Sequence, residues 1–238
     1  MPQNFFRFKQ FIVFQDQTAM KVTTDACLFG AWCAENIQEL HTVQKVLDIG
    51  TGTGLLALMT AQKTNVLIDA VELNAYAAEQ ASYNCIASLF QNQIIIFNED
   101  ILHFEKSNYD CIISNPPFYQ NEIPSTIKNK NTAHHSDGLR WDKLFAIINE
   151  KLSLVGVFFL HLPYKRKRDL ELFLKKEKLF INEIVFVKQT YKHKYFRMMI
   201  KGSKNETEII EKELAIKDNE GTYTKEFTAL LCDYYLKM

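Results

Sequence analysis

From residue 46 onward, short apolar runs alternate with longer segments of helical periodicity. Apolar runs of five to nine residues joined by helices are typical of parallel strands that are buried on both faces. The pattern therefore predicts a doubly wound α/β fold with a mostly parallel sheet. The predicted strands are 46–50, 67–73, 93–100, 109–117, 156–162, 180–188 and 195–201, and the predicted helices are 54–64, 74–88, 139–152 and 168–178.

Composition favours one domain. The chain has 238 residues, of which 47% are hydrophobic, so it can bury one sizeable core. We predict a single domain over 1–238, with an amino-terminal segment at 1–45 and a carboxyl-terminal strand and helix at 204–238. No run approaches the ~18 apolar residues of a membrane span, and the first residues lack a signal pattern, so we expect a cytosolic protein without a membrane partner.

The cysteines argue against a metal centre. There are five of them, at 27, 33, 85, 111 and 232, and none forms a C-x-x-C pair. Neither a zinc site nor a disulfide framework is indicated, and we expect no metal and reduced cysteines in the core or at its boundary.

Charge is distributed unevenly although its sum is zero. Residues 1–115 carry 6 basic and 12 acidic side chains (−6), residues 116–205 carry 18 and 8 (+10), and residues 206–238 carry 4 and 8 (−4). The basic middle block would meet a phosphate backbone, although a solvated helix face is the alternative for its longest run. The candidate RNA-binding residues are Lys165, Arg166, Lys167, Arg168, Lys192, Lys194 and Arg197.

The stretch DIGTGTG at 48–54 follows the first of these strands and opens a helix. Gly50, Gly52 and Gly54 allow a sharp turn and close approach of a ligand, but the spacing differs from the dinucleotide fingerprint and from the phosphate-binding P-loop. Glu72 ends the next strand, 22 residues after Gly50, where a carboxylate can accept hydrogen bonds from ribose hydroxyls. Asp100 closes the third strand and could accept from the exocyclic amine of a nucleoside cofactor.

The tetrapeptide NPPF at 115–118 leaves the fourth strand through two prolines. Proline fixes its own φ and keeps the preceding residue extended, so Asn115, Pro116, Pro117 and Phe118 form a stiff exit from the strand. The alternative is a simple strand-terminating turn with a packed phenylalanine.

Together these motifs resemble the class I S-adenosylmethionine-dependent methyltransferases. D-x-G-x-G-x-G resembles their cofactor loop, and NPPF resembles the [DNS]-P-P-[YFW] motif of the members that methylate an amino group. The resemblance implies a Rossmann-like, seven-stranded sheet with an antiparallel last strand. It also implies that Asn115 Oδ1 and the Pro116 carbonyl accept hydrogen bonds from an exocyclic amine, while Phe118 stacks on the ring. Its cofactor-binding candidates are Asp48, Gly50, Gly52, Gly54, Glu72, Asp100 and Asn115.

Three substrates fit such a motif: adenine N6, guanine N2 and the amide of a protein glutamine. The segment from Phe6 to Trp32 and the ending YTKEFTALLCDYYLKM resemble the bacterial tRNA adenine-N6 methyltransferases that modify adenosine 37 of valine tRNA. This resemblance implies tRNA as the partner and gives Lys21 and Thr24 as candidates for cofactor contact. The chain departs from the family pattern at Thr23, where glycine is usual.

Several assignments stay open at this point. Phe6, Phe8 and Phe11 alternate as in a strand packed on the core, with base stacking as the alternative. His134 and His135 lie in a polar loop at 119–138, and His161 is interpreted as a packed strand residue.

Two functions from other classes of protein stay open as alternatives: an RNA-binding module and an oxidoreductase. We expect a monomer or a weak dimer.

Overall fold

A computed structural model describes residues 4–18, 20–116 and 139–238. The loop at 119–138, with His134 and His135, lies outside these ranges. The helices in the described ranges are α1 (Thr24–Leu40), α2 (Leu55–Lys63), α3 (Ala75–Ile86), α4 (Trp141–Lys151), α5 (Lys167–Glu177) and α6 (Lys225–Leu231). The strands are β1 (Phe5–Arg7), β2 (Ile12–Phe14), β3 (Lys45–Ile49), β4 (Leu67–Glu72), β5 (Ile94–Asn98), β6 (Tyr109–Ser114), β7 (Leu152–Pro163), β8 (Phe180–Thr190), β9 (Tyr195–Ser203) and β10 (Ile210–Lys217).

The central sheet has the order β10-β8-β9-β7-β6-β3-β4-β5. Strands β3 to β7 pair in parallel, and β9 runs antiparallel to both β7 and β8. The predicted mostly parallel fold with one antiparallel strand is confirmed. The predicted count of seven strands was too low by one, because β10 pairs in parallel with β8 and extends the sheet.

Helices cover both faces of the sheet. On one face α1, α2 and α6 contribute to a buried cluster with the inward side chains of β3, β4 and β6. On the other face α4 and α5 pack in a second cluster that includes Trp141, Phe145 and Leu170. Because the strands are buried on both sides, their continuous apolar runs are explained. Strand β9 runs opposite to the rest of the sheet, so the carboxyl ends of β3 to β8 and of β10 share one edge. We call it the carboxyl edge.

The amino-terminal strands form a separate two-stranded hairpin, in which Phe6 pairs with Val13. Phe8 and Phe11 are buried at 2% and 5% exposure, and their rings stack at 4.5 Å. Their interpretation as core residues is therefore confirmed, whereas Phe6 is only half-buried and packs against Tyr235.

Helix α1 was not predicted, and Thr23 explains where it begins. Thr23 is extended (φ −119°) and its side-chain oxygen accepts from the backbone N–H of Ala26 at 3.3 Å. A threonine at this position caps the helix, so the departure from glycine supplies an N-cap.

The five cysteines are free, and all except Cys232 are buried, as predicted. In the described part of the chain, no helix is both long and apolar enough to cross a membrane.

Candidate functional site

The glycine loop lies between β3 and α2 at the carboxyl edge. Gly50, Gly52 and Gly54 have φ of 72°, 58° and 81°, a left-handed region that favours glycine. A Cβ at Gly54 would lie 3.5 Å from the Cβ of Ala81, so this glycine lets α3 pack closely. A Cβ at Gly50 or Gly52 would meet no atom within 4 Å. The first two glycines therefore border open space, as a ligand-binding turn requires.

Glu72 ends β4 beside this loop, and both oxygens of its carboxylate are engaged. Oε2 accepts from the backbone N–H of Gly52 at 2.9 Å, and Oε1 accepts from that of Asn74 at 2.9 Å. Each carboxylate oxygen can accept more than one hydrogen bond, so Glu72 can also accept from hydroxyl groups. The same contacts fix the position of the carboxylate against the loop.

Asp48 lies beneath the loop and has no exposed surface. The hydroxyl of Thr51 donates to its Oδ2 at 2.5 Å, while Oδ1 makes no hydrogen bond within the described ranges. Burial raises the pKa of Asp48 to about 7, and the nearby charge of Glu72 acts in the same direction. Asp48 therefore supports the loop from below instead of facing the open space.

Asp100 follows β5 by two residues, at the same edge. Its Oδ1 accepts from the backbone N–H of Leu102 at 3.0 Å, so it caps the turn at 101–103. Asn98, which the sequence did not single out, donates to the carbonyl oxygens of Glu72 and Leu73 at 3.0 and 3.2 Å. These contacts join the carboxyl ends of β4 and β5.

Asn115 follows β6 directly and is half-buried, while Pro116 is buried. Ser114 pairs with Ile49 across β6 and β3, and its hydroxyl donates to the Ile49 carbonyl at 2.8 Å. Asn115 and Gly50 are thus the next residues along two neighbouring parallel strands. Pro117 and Phe118 lie outside the described residues. Asn115 Oδ1 lies 3.0 Å from Nδ1 of His161, a contact that the sequence did not indicate.

The segment before α1 reaches the same region. The ammonium of Lys21 donates to the Gln15 carbonyl, and Gln15 Oε1 accepts from the backbone N–H of Val22 at 2.7 Å. Thr24 is the first residue of α1 and is exposed. Its neighbour Asp25 lies 4.0 Å from Nε2 of His161, so α1 begins beside the end of β7.

Asn84 is a second residue that sequence reasoning missed. It is fully buried on α3, and its Nδ2 donates to the carbonyls of Phe14 and Thr53, each at 2.9 Å. Its Oδ1 accepts from the backbone N–H of Phe14 at 2.9 Å. A single amide therefore joins the amino-terminal hairpin to the glycine loop.

The candidate RNA-binding residues lie at the carboxyl edge too. Six of them follow the ends of β7 and β8, and Arg197, near the start of antiparallel β9, pairs with Pro163 at the end of β7. Lys165, Arg168, Lys192 and Lys194 are exposed. The remaining three are partly buried and contact other side chains: Arg166 lies over Trp141, Lys167 lies over Phe186, and Arg197 donates to Asp25.

Two further lysines of the basic block are placed differently. Lys175 and Lys176 lie in the last turn of α5, and an 11-residue helix spans about 16 Å. Because α5 returns from the end of β7 towards the start of β8, these lysines lie near the opposite edge of the sheet. Only part of the basic block can therefore act together with the glycine loop.

The arrangement fits the cofactor that the motifs imply. No atom would lie within 4 Å of a Cβ at Gly50 or Gly52, so a ligand can approach the backbone there, and Glu72 lies beside the loop with acceptor capacity for ribose hydroxyls. For a metal, the described residues offer no cluster of three or more histidine, cysteine or acidic side chains. The residues that are brought together suit an adenosine-containing cofactor and an amino-group acceptor at Asn115.

Comparison with known proteins gives a consistent result. Residues 31–153 match the family model of the methyltransferase small domain. A tRNA1(Val) (adenine(37)-N6)-methyltransferase of Dyadobacter fermentans is 38% identical, with 100% of each chain covered. A protein of the same name from Yersinia enterocolitica is 34% identical, covering 97% of this chain and 92% of the relative.

Solved structures agree on the fold. A predicted O-methyltransferase of Agrobacterium tumefaciens superposes with a TM-score of 0.68 at 14% identity, covering 88% of this chain and 96% of the other. A ribosomal protein L11 methylase of Lactobacillus delbrueckii gives a TM-score of 0.55 at 15% identity, covering 80% and 83%. At these identities the likeness concerns the fold alone.

Proposed function

Because this chain belongs to the family of tRNA1(Val) (adenine(37)-N6)-methyltransferases, we propose that it methylates N6 of an adenine in tRNA, at position 37 of valine tRNA. The cofactor is S-adenosylmethionine. A tRNA substrate would place the reaction in the cytoplasm. We further propose that the protein acts as a monomer or a weak dimer.

One observation carries the proposal: Asn115, the first residue of the amino-group motif, lies beside the glycine loop. The pairing of Ser114 with Ile49 and the 2.8 Å hydrogen bond between them place Asn115 next to Gly50. Neighbouring strands lie about 4.8 Å apart, so acceptor and donor groups can meet across one strand spacing. Holding two reactants in this way removes much of the entropic part of a barrier.

The chemistry of the acceptor follows from its residues. When bound, S-adenosylmethionine supplies a methyl group whose bond to sulfur breaks as the bond to nitrogen forms. An aromatic amine is a weak nucleophile because its lone pair is delocalised into the ring. If Asn115 Oδ1 and the Pro116 carbonyl accept both of its N–H groups, the lone pair is directed to the methyl group. The surplus proton can then leave to solvent, so no ionised general base is needed.

The two prolines keep these acceptors aimed without reorganisation, since proline restricts itself and the residue before it. Phe118 would stack on the target base. A base in a helix is out of reach of such a site, so the target must be unpaired or flipped. Adenosine in a single-stranded loop meets this condition.

The same proposal gives each cofactor-binding candidate a role. Glu72 accepts from the ribose, Asp100 accepts from the adenine amine, and Gly50 and Gly52 give room for close approach. Asp48 and Gly54 act by shaping the loop. Lys21 and Thr24 contact the cofactor from the 1–45 segment, which covers the cleft. The strand and helix at 204–238, expected as an appendage, instead form part of the core, because β10 extends the central sheet and α6 packs in its buried cluster.

The RNA is met by the basic residues at the carboxyl edge. Lys165, Arg168, Lys192 and Lys194 supply exposed cations for phosphates. Arg166, Lys167 and Arg197 complete the positive surface from partly buried positions.

The proposal is tested by identifying the product. The purified protein is incubated with isotopically labelled S-adenosylmethionine and total RNA from cells that lack the modification, and the nucleosides are separated by mass spectrometry. N6-methyladenosine is expected, and it should disappear when a valine tRNA with guanosine at position 37 is the only RNA. Labelled N2-methylguanosine, or no labelled nucleoside at all, would show that the substrate assignment is wrong.

A further inference from the structure

His161 is a polar residue in the apolar strand β7 and is only 1% exposed. Ser114 of β6 pairs with Leu160 of β7, so Asn115 and His161 are the next residues along two neighbouring parallel strands. Nδ1 of His161 lies 3.0 Å from Oδ1 of Asn115. The interpretation of His161 as a packed strand residue therefore missed a direct contact with the proposed acceptor.

The chemistry of the contact fixes its direction. An amide oxygen can only accept, so the ring nitrogen must carry the proton and donate. Burial lowers the pKa of His161 to about 4, with Arg197 acting in the same direction and Asp25 opposing them. The ring is therefore neutral at pH 7 and has one proton, which this hydrogen bond requires on Nδ1. One of the two lone pairs of Asn115 Oδ1 is occupied, and the other remains available.

The ring of His161 is held from two further elements. It stacks on Phe29 of α1, with ring centroids 5.2 Å apart and planes at 15°. Nε2 lies 4.0 Å from Oδ2 of Asp25, which accepts from Nε of Arg197 on β9 at 2.8 Å. Among the described residues, Asp25 and Arg197 are the charged groups that face the ring. Helix α1 and strand β9 thus fix a ring whose donor points at Asn115.

We propose that His161 is a positioning residue that fixes the side-chain amide of Asn115, so that one lone pair of Oδ1 faces the target amine. The inference rests on the proposed methyl transfer and deepens it. The terminal torsion of asparagine is broad, and an amide turned by half a rotation would present its NH₂ to the amine, donor against donor. A misplacement of about 1 Å can cost roughly a hundredfold in rate.

Three variants separate the hydrogen bond from packing. In His161→Asn the side-chain amide nitrogen can occupy the place of Nδ1, whereas in His161→Gln it reaches the place of Nε2. His161→Phe keeps a ring for Phe29 and removes both nitrogens. We expect kcat at saturating tRNA to fall tenfold to a hundredfold for the Phe and Gln variants, and to recover to within about fivefold of the native value for the Asn variant. KM for S-adenosylmethionine should stay within twofold, because the cofactor loop is not touched.

A double variant supplies the second readout. Once Asn115→Ala removes the amide, adding His161→Phe should slow single-turnover methyl transfer by less than twofold, because coupled residues are not additive. The inference is overturned if His161→Phe turns over like the native enzyme, if His161→Asn is as slow as His161→Phe, or if the two losses simply multiply. A native enzyme that leaves tRNA adenine unmethylated would instead refute the proposed function.

Thermal unfolding of each variant monitors the fold. Should His161→Phe fail to fold, the comparison of His161→Asn with His161→Gln decides alone, since both keep a polar amide and differ in where its nitrogen lies.

Discussion

The carboxylate of Glu72 accepts a 2.9 Å hydrogen bond from the backbone N–H of Gly52, which joins the end of β4 to the cofactor loop. The same side chain is the proposed ribose acceptor, so one residue holds the loop and meets the ligand. Changes at Glu72 should therefore affect cofactor binding more than any exposed carboxylate does.

Replacement of Glu72 by alanine should weaken S-adenosylmethionine binding by roughly tenfold to a hundredfold or more, because each hydrogen bond to a charged group contributes about 1.5–3 kcal/mol. Glu72→Gln keeps one acceptor oxygen, so its affinity for S-adenosylmethionine should lie between those of the native protein and Glu72→Ala. Titration calorimetry measures the affinity. Glu171→Ala, at an exposed position on α5, is the matched control and should bind normally. Normal affinity of Glu72→Ala would remove Glu72 from the pocket.

Gly52→Ala should cost cofactor affinity, whereas Gly221→Ala should not. Both glycines have positive φ (58° and 90°), and a Cβ at either would meet no atom within 4 Å. A side chain at positive φ is strained at both positions, by about 1–2 kcal/mol, so both melting temperatures should fall. Only the Cβ at 52 projects into the space proposed for the cofactor. Equal affinities in the two variants would mean that the cofactor lies elsewhere.

Asn115→Ala should reduce kcat by roughly a hundredfold or more, since it removes one of the two aimed acceptors. Cofactor affinity should stay within about twofold, because the loop contacts of Glu72 and Thr51 are unchanged. Single-turnover methyl transfer and calorimetry measure the two quantities. A variant that turned over normally would contradict the acceptor role.

Asp48 should make the protein less stable as pH rises. Its folded pKa of about 7 exceeds its unfolded value of 3.8, so the folded state binds the proton more tightly between these values. The free energy of unfolding should therefore fall from about pH 4 to pH 7, by a few kcal/mol at about 1.36 kcal/mol per pKa unit, and level off above.

Asp48→Asn should lack this contribution, and its stability should fall less than that of the native protein over the same window. Urea unfolding at pH 5 and pH 8 compares the two proteins. Parallel pH profiles would show that Asp48 does not titrate in this range.

Lys165→Glu combined with Arg168→Glu should weaken tRNA binding and flatten its salt dependence. Each lost phosphate contact reduces the slope of log K against log salt by about 0.9 on a duplex and about 0.7 on a single strand. Lys175→Glu with Lys176→Glu makes the same charge change at the far end of α5 and is the control. If both pairs weakened binding equally, only net charge would matter, and the carboxyl-edge RNA surface would be wrong.

The sheet could be predicted because its signal is local. Runs such as VLDIG and CIIS are apolar on both faces, and only a covered parallel strand explains this. The place of β10 in the central sheet is harder to predict from the sequence. Its sequence IEKELAIK is charged along the exposed first half, and the strand lies at the edge of the sheet. The glycine loop and NPPF were found because their chemistry is contained within a few residues.

The supporting contacts could not be predicted in this way. His161 is surrounded by apolar neighbours in GVFFLHL, and its partner Asn115 lies 46 residues away. Asn84 is one polar residue among several on a helix, where exposure is the ordinary expectation. Its burial depends on Phe14, which is 70 residues distant. Such contacts depend on strand register and helix placement, which no short pattern contains.

The amino-terminal hairpin has partners on α3 and near residues 232–234. Beyond its link to Asn84, the backbone N–H of Lys9 donates to the Tyr234 carbonyl at 2.8 Å, and the Lys9 ammonium donates to the Cys232 carbonyl at 2.5 Å. During synthesis the first strands would leave the ribosome more than 200 residues before these partners exist. The hairpin therefore cannot form its contacts with residues 232–234 early in synthesis. Its docking against them is a late folding event, completed only after these residues have emerged.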